Sequence, residues 1–341
     1  MSASHSCDGV RARAHHQSPI LDGCRYPYRV YVREHIPLGG MLQGLLSGVI
    51  GLVSTRVALS RNDGRDQLVV RALHVGDDGW PLMGEVVGRG ELIIMLHGGG
   101  PDHYSMRPLA DRLAGRYRVA LPDIRGYGAS RCPDPTLHRW DQYVSDVIAI
   151  VHALDDTCAH LVGAGLGGTI VLRTCLQHPR IARSAVVISA EAIEDDADKA
   201  ADTDLMDRFA EHARSRGLQA AWELFIPDLQ PLIANLVAEA IPRADAHSAA
   251  AAASIGHDRA FATVEDLRRI DTATLVIAGD DIRHPECLAH SLADVLPRGV
   301  LAEVSMSRQF VNAEDMAHAF GPAIENFLRR TSDRDTRVHK D

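Results

Sequence analysis

The sequence has no surplus of positive charge. Its 36 lysines and arginines face 45 aspartates and glutamates, a formal net charge of −9 at pH 7. Binding a phosphate backbone needs a basic face, and no stretch interleaves basic with aromatic residues, so nucleic acid is excluded as the main partner. No H-E-x-x-H or C-x-x-C spacing organises the 18 histidines and 6 cysteines, so neither a metal nor another cofactor is expected. The cysteines are scattered, as Cys7, Cys24, Cys132, Cys158, Cys175 and Cys287. A chain of 341 residues folds without disulfide staples, which predicts reduced thiols in a cytoplasmic setting. Residues 1–35 are polar, with Arg11, Arg13, Arg25, Arg29 and Arg33, and lack the early apolar run of a secretory leader. No internal repeat at a fixed period is found.

One uncharged stretch stands out in the N-terminal arm, residues 1–66. From Ile36 to Thr55, Leu42, Leu45, Leu46, Val49, Leu52 and Val53 recur at helical spacing. Gly40, Gly44 and Gly48 form a small-residue row of the kind that packs membrane helices closely. The segment just reaches the roughly 20 residues needed to span a bilayer. Small and polar residues interrupt it, and arginines flank both ends. Three readings stay open for residues 36–55: an arm on the body, a helix docking a membrane surface or protein partner, and a spanning helix.

From residue 67 a strand and helix rhythm begins. Gln67–Leu73 and Pro81–Val87 read as strands joined by the turn Gly76–Gly79. The apolar runs Glu91–Leu96, Tyr117–Leu121, His160–Val162, Ala185–Ser189, Thr274–Ala278 and Val300–Ser305 read as strands, most of them buried and parallel. Met106–Leu113, Trp140–Leu154, Thr169–Gln177 and Glu314–Arg329 have helical periodicity. This alternation predicts an α/β fold with a mostly parallel central sheet covered by helices on both faces. Residues 191–265 break the rhythm. They are rich in alanine and acidic residues, and read as a helical cap inserted between the two parts of a core at 67–190 and 266–330. Residues 331–341 read as a charged, mobile tail.

Four motifs follow one another in this region: His97-Gly-Gly-Gly-Pro101, the loop Asp123-Ile-Arg-Gly-Tyr-Gly-Ala-Ser130, Gly163-Ala-Gly165-Leu-Gly167, and the strand end Ala278-Gly-Asp-Asp281. Together they resemble an α/β-hydrolase-fold protein over residues 67–330. The resemblance implies a nucleophile elbow at Gly163–Gly167 with glycine, at Gly165, where the nucleophilic serine belongs. It implies an oxyanion hole built from the N–H groups of Gly99, or Gly100, and Leu166. His97, Gly100, His103 and Tyr104 become candidate pocket residues. Asp281 is the candidate acid of the triad, with Glu191 as a substitute. Gln309 falls where the basic histidine belongs, and glutamine cannot take a proton near neutral pH. His318 is a displaced base or a surface or packed histidine. Cys175 is expected to pack against the sheet, and Cys132 to be exposed without an adjacent base. The loop residues Arg125 and Ser130 are expected to tie loops together.

A chain with this frame and without the Ser-His-Asp set is expected to bind an apolar or carbonyl-containing small molecule and to act by non-serine chemistry. Two alternatives stand beside that expectation. One is a non-catalytic binding or regulatory protein on a hydrolase scaffold. The other is a hydrolase with a rearranged nucleophile.

Overall fold

The computed structural model describes the backbone of residues 59–62, 65–68, 72–73, 80–191, 193 and 196–338, with side chains over 80–191, 193 and 196–332. The segment Ile36–Thr55 and the turn Gly76–Gly79 lie outside the described residues. Strands β1 (Leu59–Asn62) and β2 (Arg65–Leu68) pair as an antiparallel hairpin. Then come β3 (Ala72–Leu73), β4 (Leu82–Gly88), β5 (Glu91–Leu96), β6 (Tyr117–Pro122), β7 (Ala159–Ala164), β8 (Ala182–Ile188), β9 (Thr274–Ala278) and β10 (Gly299–Ser305). These make one eight-stranded sheet in the order β10-β9-β8-β7-β5-β6-β4-β3. From β5 onward all neighbours are parallel, while β4 runs antiparallel to β6 and β3 to β4.

Side chains alternate across a strand, so an unbroken apolar run fills both faces of a sheet at once. Ile93 and Met95 of β5 enter one core, while Leu92, Ile94 and Leu96 enter the other. Val186 and Ile188 of β8 divide from Ala185 and Val187 in the same way. Helices α1 (Arg107–Leu113) and α9 (Ala313–Val338) close the first core through Leu109, Phe320, Ile324 and Leu328. Helices α2 (Trp140–Ala153), α3 (Leu166–Gln177) and α8 (Glu286–Val295) close the second. Between β8 and β9 the chain forms α4 (Asp196–Arg216), α5 (Leu218–Trp222), α6 (Pro231–Ala240) and α7 (Ala246–Ala252). These helices carry a third apolar cluster, with Phe209 edge-on to Trp222 at 5.0 Å and to Phe225 at 5.6 Å. No helix among the described residues is long and apolar enough to cross a membrane.

Two expectations are corrected here. The strand expected over Gln67–Leu73 is divided between β2 and β3, which pair with different partners. The tail expected from Thr331 continues α9 to Val338. Charge alone does not end a helix, and the polar side chains at its end find partners. Thr331 and Ser332 are buried, and the Ser332 hydroxyl donates to Glu91 Oε2 at the start of β5, at 2.6 Å.

The loop after β6 is a structural tie, as its residue types suggest. Buried Arg125 donates to Asp146 of α2 at 3.1 and 3.2 Å. Ser130 Oγ accepts from the Met83 N–H of β4 at 2.7 Å. Cys132, expected at the surface, is buried beneath this loop.

At the β7–α3 junction the helix turns back so tightly that only glycine fits on either side. A Cβ on Gly163 would lie 2.2 Å from the Gly167 carbonyl oxygen, and one on Gly167 would lie 2.6 Å from the His97 carbonyl oxygen. Gly165 between them, at φ 49° and ψ −119°, would give a Cβ only ordinary van der Waals contacts, at 3.5 Å and beyond. Denaturant unfolding should therefore rank the alanine variants. Gly165→Ala is expected to cost about 1–3 kcal/mol for its positive-φ backbone, and Gly167→Ala more than that for the added clash. Equal costs would show that the close crossing does not dictate the glycines.

Candidate functional site

The β7–α3 turn holds Gly165 at the floor of a cavity of about 460 Å³, within the usual size range for small-molecule pockets. The Gly165 N–H donates to the Ile188 carbonyl at 2.9 Å, and its carbonyl accepts from Thr169 N–H at 3.1 Å, which fixes the turn from both sides. Gly98 and Gly99, after β5, line the cavity next to Leu166, the first residue of α3. The two turns abut: a Cβ on Gly99 would meet Leu166 Cβ at 3.9 Å. The first N–H groups of a helix have no acceptor within it, and no side chain caps α3. Phe209, Trp222 and Phe225 from α4, α5 and the chain just beyond make the opposite wall largely apolar.

The chemistry is concentrated in the loop after β9. One oxygen of Asp281 accepts from Arg283 N–H at 3.0 Å, from His284 N–H at 2.9 Å and from His284 Nδ1 at 2.8 Å. Its other oxygen accepts from Gln230 N–H at 3.2 Å. The loop is thereby folded onto its own carboxylate, and it swings the His284 ring into the cavity. The far nitrogen, Nε2, lies 3.3 Å from Glu191 Oε2. Glu191 follows β8, and its backbone carbonyl accepts from Thr169 Oγ of α3 at 2.8 Å. A Cβ on Gly165 would stand 3.5 Å from His284 Nε2 and 3.6 Å from Glu191 Oε1.

Burial of His284 works against its charged form, but the hydrogen bond to Asp281 and the Glu191 carboxylate outweigh it and push its pKa up to about 9. Burial raises the pKa values of Asp281 and Glu191, and the imidazolium more than offsets this, holding both below the ordinary carboxylate range. At neutral pH the set is therefore one cation between two anions. Above it, Arg283 pairs with Asp202 of α4 at 2.9 Å and lies over the Phe225 ring at 5.0 Å.

Of the residues singled out in the sequence, Gly165, Leu166 and Gly99 line one cavity, and Asp281 reaches it through His284. Gln309 does not. It is exposed before α9, with its N–H on Ser307 Oγ at 3.2 Å, and the cavity wall nearby is Met306 and Met316. His318 is exposed on α9. His97 is not a lining residue: Nδ1 donates to the Gly98 carbonyl at 2.7 Å and Nε2 accepts from Ile124 N–H at 2.9 Å. Burial lowers its pKa, so this buried ring stays neutral and staples two loops. His103 is turned to Asp123, at 2.7 Å from Nδ1; burial opposes its charged form, and Asp123 raises its pKa nonetheless. Tyr104 is half exposed beneath the Arg243 guanidinium, and Gly100 is covered by Trp222. Cys175 is buried, and burial raises its thiol pKa to about 12, so it packs as an inert group. Neither His103, Tyr104 nor Gly100 lines the cavity.

His284 escaped sequence reasoning, although it lies in the very loop that supplied Asp281. The usable signal was the Asp-x-x-His spacing between Gly279 and Pro285, which lets an aspartate hold both the backbone and the ring of a histidine three positions on. Two serines also line the cavity: Ser105 Oγ donates to the Asp102 carbonyl at 2.7 Å, and Ser189 Oγ has no partner. Among the described residues no cluster of histidine, cysteine and carboxylate side chains has a metal-holding arrangement.

Residues 93–324 match the model of the "Alpha/beta hydrolase family". A 2-hydroxymuconate semialdehyde hydrolase of Pseudomonas sp. is 31% identical over 36% of this chain and 40% of its own length. The chain thus spans about two fifths of that relative. A putative carbamate hydrolase of Serratia proteamaculans is 25% identical over 68% of this chain and 88% of its own. Among solved structures, an enol-lactonase from Burkholderia xenovorans LB400 superposes with a TM-score of 0.63 at 18% identity, over 73% of this chain and 96% of that one. A thermophilic esterase from Thermogutta terrifontis gives 0.66 at 20% identity, over 81% and 98%.

The elevated pKa of His284 carries a stability prediction. The unfolded imidazole titrates near 6.5 and the folded one near 9. The stabilisation is complete below about pH 6.5 and is lost as pH rises through 9, to a total of about 3 kcal/mol. Unfolding free energies measured from pH 6 to 10 should fall by about that much more in the wild type than in His284→Gln, which has nothing to titrate there. Parallel profiles would show that the imidazolium is not held as described.

Proposed function

The chain belongs to the alpha/beta hydrolase family, and from that premise we propose that it binds an apolar small molecule through a carbonyl group above Gly165. It acts on that molecule by acid–base chemistry at His284, without a covalent serine intermediate. The observation that carries this reading is the imidazole placed 3.5 Å from where a Gly165 Cβ would stand. In this reading the glycine frame is kept for its architecture, and Asp281 and His284 act as a dyad delivered by a single loop. The N–H groups of Gly99 and Leu166 form an oxyanion hole that polarises the carbonyl. The α4–α7 helices serve as a cap whose aromatic wall receives the apolar part of the ligand. The names of the relatives, hydrolases and an enol-lactonase, suit a carbonyl substrate.

The triad positions change accordingly. Gln309 leaves the list, and His284 takes the role of the base or acid. Because Nδ1 is held by Asp281, the nitrogen available for chemistry is Nε2. A carboxylate orients a catalytic histidine in this way and stabilises its imidazolium.

A fluorophosphonate probe separates the possibilities. The wild-type chain is expected to remain unlabelled, while Gly165→Ser alone, with no change at Gln309, acquires a labelled Ser at position 165. Labelling of Ser189 or Ser105 in the wild type would establish a rearranged nucleophile and overturn this reading. Turnover of small esters or lactones should fall about 100-fold or more in His284→Ala. Equal turnover by this variant and the wild type would remove His284 from the chemistry.

A further inference from the structure

The space beside Gly165 is not simply empty of a nucleophile. It is bordered by two groups of complementary character. The position of a Cβ on Gly165 lies 3.5 Å from His284 Nε2 and 3.6 Å from Glu191 Oε1, and the Glu191 Cδ follows at 3.7 Å. The two side chains contact one another at 3.3 Å. Glu191 is anchored through its carbonyl to Thr169 of α3, the same residue whose N–H closes the Gly165 turn. The Glu191 backbone is thus tied to the start of α3, and its carboxylate to the imidazole. A water molecule needs about two to four polar partners in a buried site. Glu191 Oε1 and His284 Nε2 provide two, and the substrate carbonyl approaches from the open cavity.

Resting on the reading of the site given above, we propose that Glu191 is the general base of a direct hydrolysis, acting on a water held in the volume that a serine side chain would fill. The substrate class is a carboxylic ester or lactone with an apolar acyl portion. The steps balance as follows. Glu191 Oε1 takes a proton from the water as its oxygen bonds to the carbonyl carbon, and the carbonyl electron pair moves onto oxygen, facing the Gly99 and Leu166 N–H groups. The tetrahedral species reforms the carbonyl and breaks the bond to the leaving oxygen, which takes the Nε2 proton of His284. A protonated Glu191 and a neutral His284 remain. The Glu191 carboxyl turns its protonated oxygen to Nε2, the proton passes to His284, and the starting ion pair is restored. Ester and water have become acid and alcohol with no bond to the protein.

The arrangement explains why a doubly paired histidine suits this site. An imidazolium between Asp281 and Glu191, with Arg283 next to it in the loop and paired to Asp202, cannot serve as the first base. It is already protonated and can serve as the acid, which leaves the carboxylate to activate the water. A serine at position 165 would occupy the water's place.

The test uses the full chain, a chain-length series of p-nitrophenyl alkanoates, and an unreactive methyl ketone of the same acyl chain as a binding probe. Glu191→Gln should lower kcat about 100-fold or more while the ketone, measured by calorimetry, binds as to the wild type. Glu191→Asp should retain intermediate activity. In Glu191→Ala, added formate should restore turnover in proportion to its concentration, an outcome that a purely structural role does not produce. Wild-type turnover retained in Glu191→Gln overturns this inference, as does an acyl adduct on the protein by intact-mass spectrometry. Ketone binding without turnover of any ester by the wild type overturns it too and leaves the binding site standing. Failure of the ketone to bind overturns the site itself.

Discussion

Three donors converge on one oxygen of Asp281, and the geometry of the site depends on that convergence. Two are backbone N–H groups and the third is the ring of His284. The loop after β9 becomes a turn whose shape and cargo are set by the same carboxylate. Buried charge is tolerated only when it is paired and hydrogen-bonded. Here a cation sits between Asp281 and Glu191, and the Gln230 N–H takes the remaining oxygen of Asp281. Removing His284 leaves two like-charged carboxylates uncompensated beside an apolar cavity. Such a cost, commonly about 3–5 kcal/mol, makes the three groups a unit.

The second constraint is the crossing of α3 over the end of β7. It fixes the identity of Gly163 and Gly167 by contact, and the backbone of Gly165 by its hydrogen bonds to β8 and α3. The strained turn is built from packing and backbone bonding alone. Nothing in its construction uses the side chain at 165, so the turn survives whether or not that residue reacts. Glycine relieves strain that an ordinary residue would bear, about 1–3 kcal/mol. Architecture and chemistry are separable at this position.

The strands were legible because each apolar run must fill two cores at once, a demand visible in sequence as an unbroken stretch such as Glu91–Leu96. The glycine elbow was legible because close packing leaves no substitute for Gly163 and Gly167. The helix of Glu314–Arg329 was legible by period, yet its continuation to Val338 was not, since charged residues there suggested a tail and the Ser332–Glu91 bond joins segments far apart in sequence. The site was half legible. Asp281 stood out as an acid, and Glu191 as its substitute. The assignment of Gln309 followed the order of motifs along the chain, and order does not report direction: the loop before α9 faces outward. His284 was hidden for the opposite reason, because its partner is three positions away and a loop of that length reads as a connection. His97, His103 and Tyr104 followed a glycine turn that does border the cavity, but their rings are claimed by Gly98 and Ile124, by Asp123, and by Arg243.

Helix α9 is the last long element of the described chain, and it covers the first parallel strand. Phe320, Ile324 and Leu328 share a core with Ile93 and Met95 of β5, and Ser332 closes on Glu91. Synthesis proceeds in the other direction. Until α9 has been made, α1 covers only part of that face, and the apolar side chains that α9 buries are open to water. The core around β5 is therefore completed by a helix made more than 200 residues after that strand.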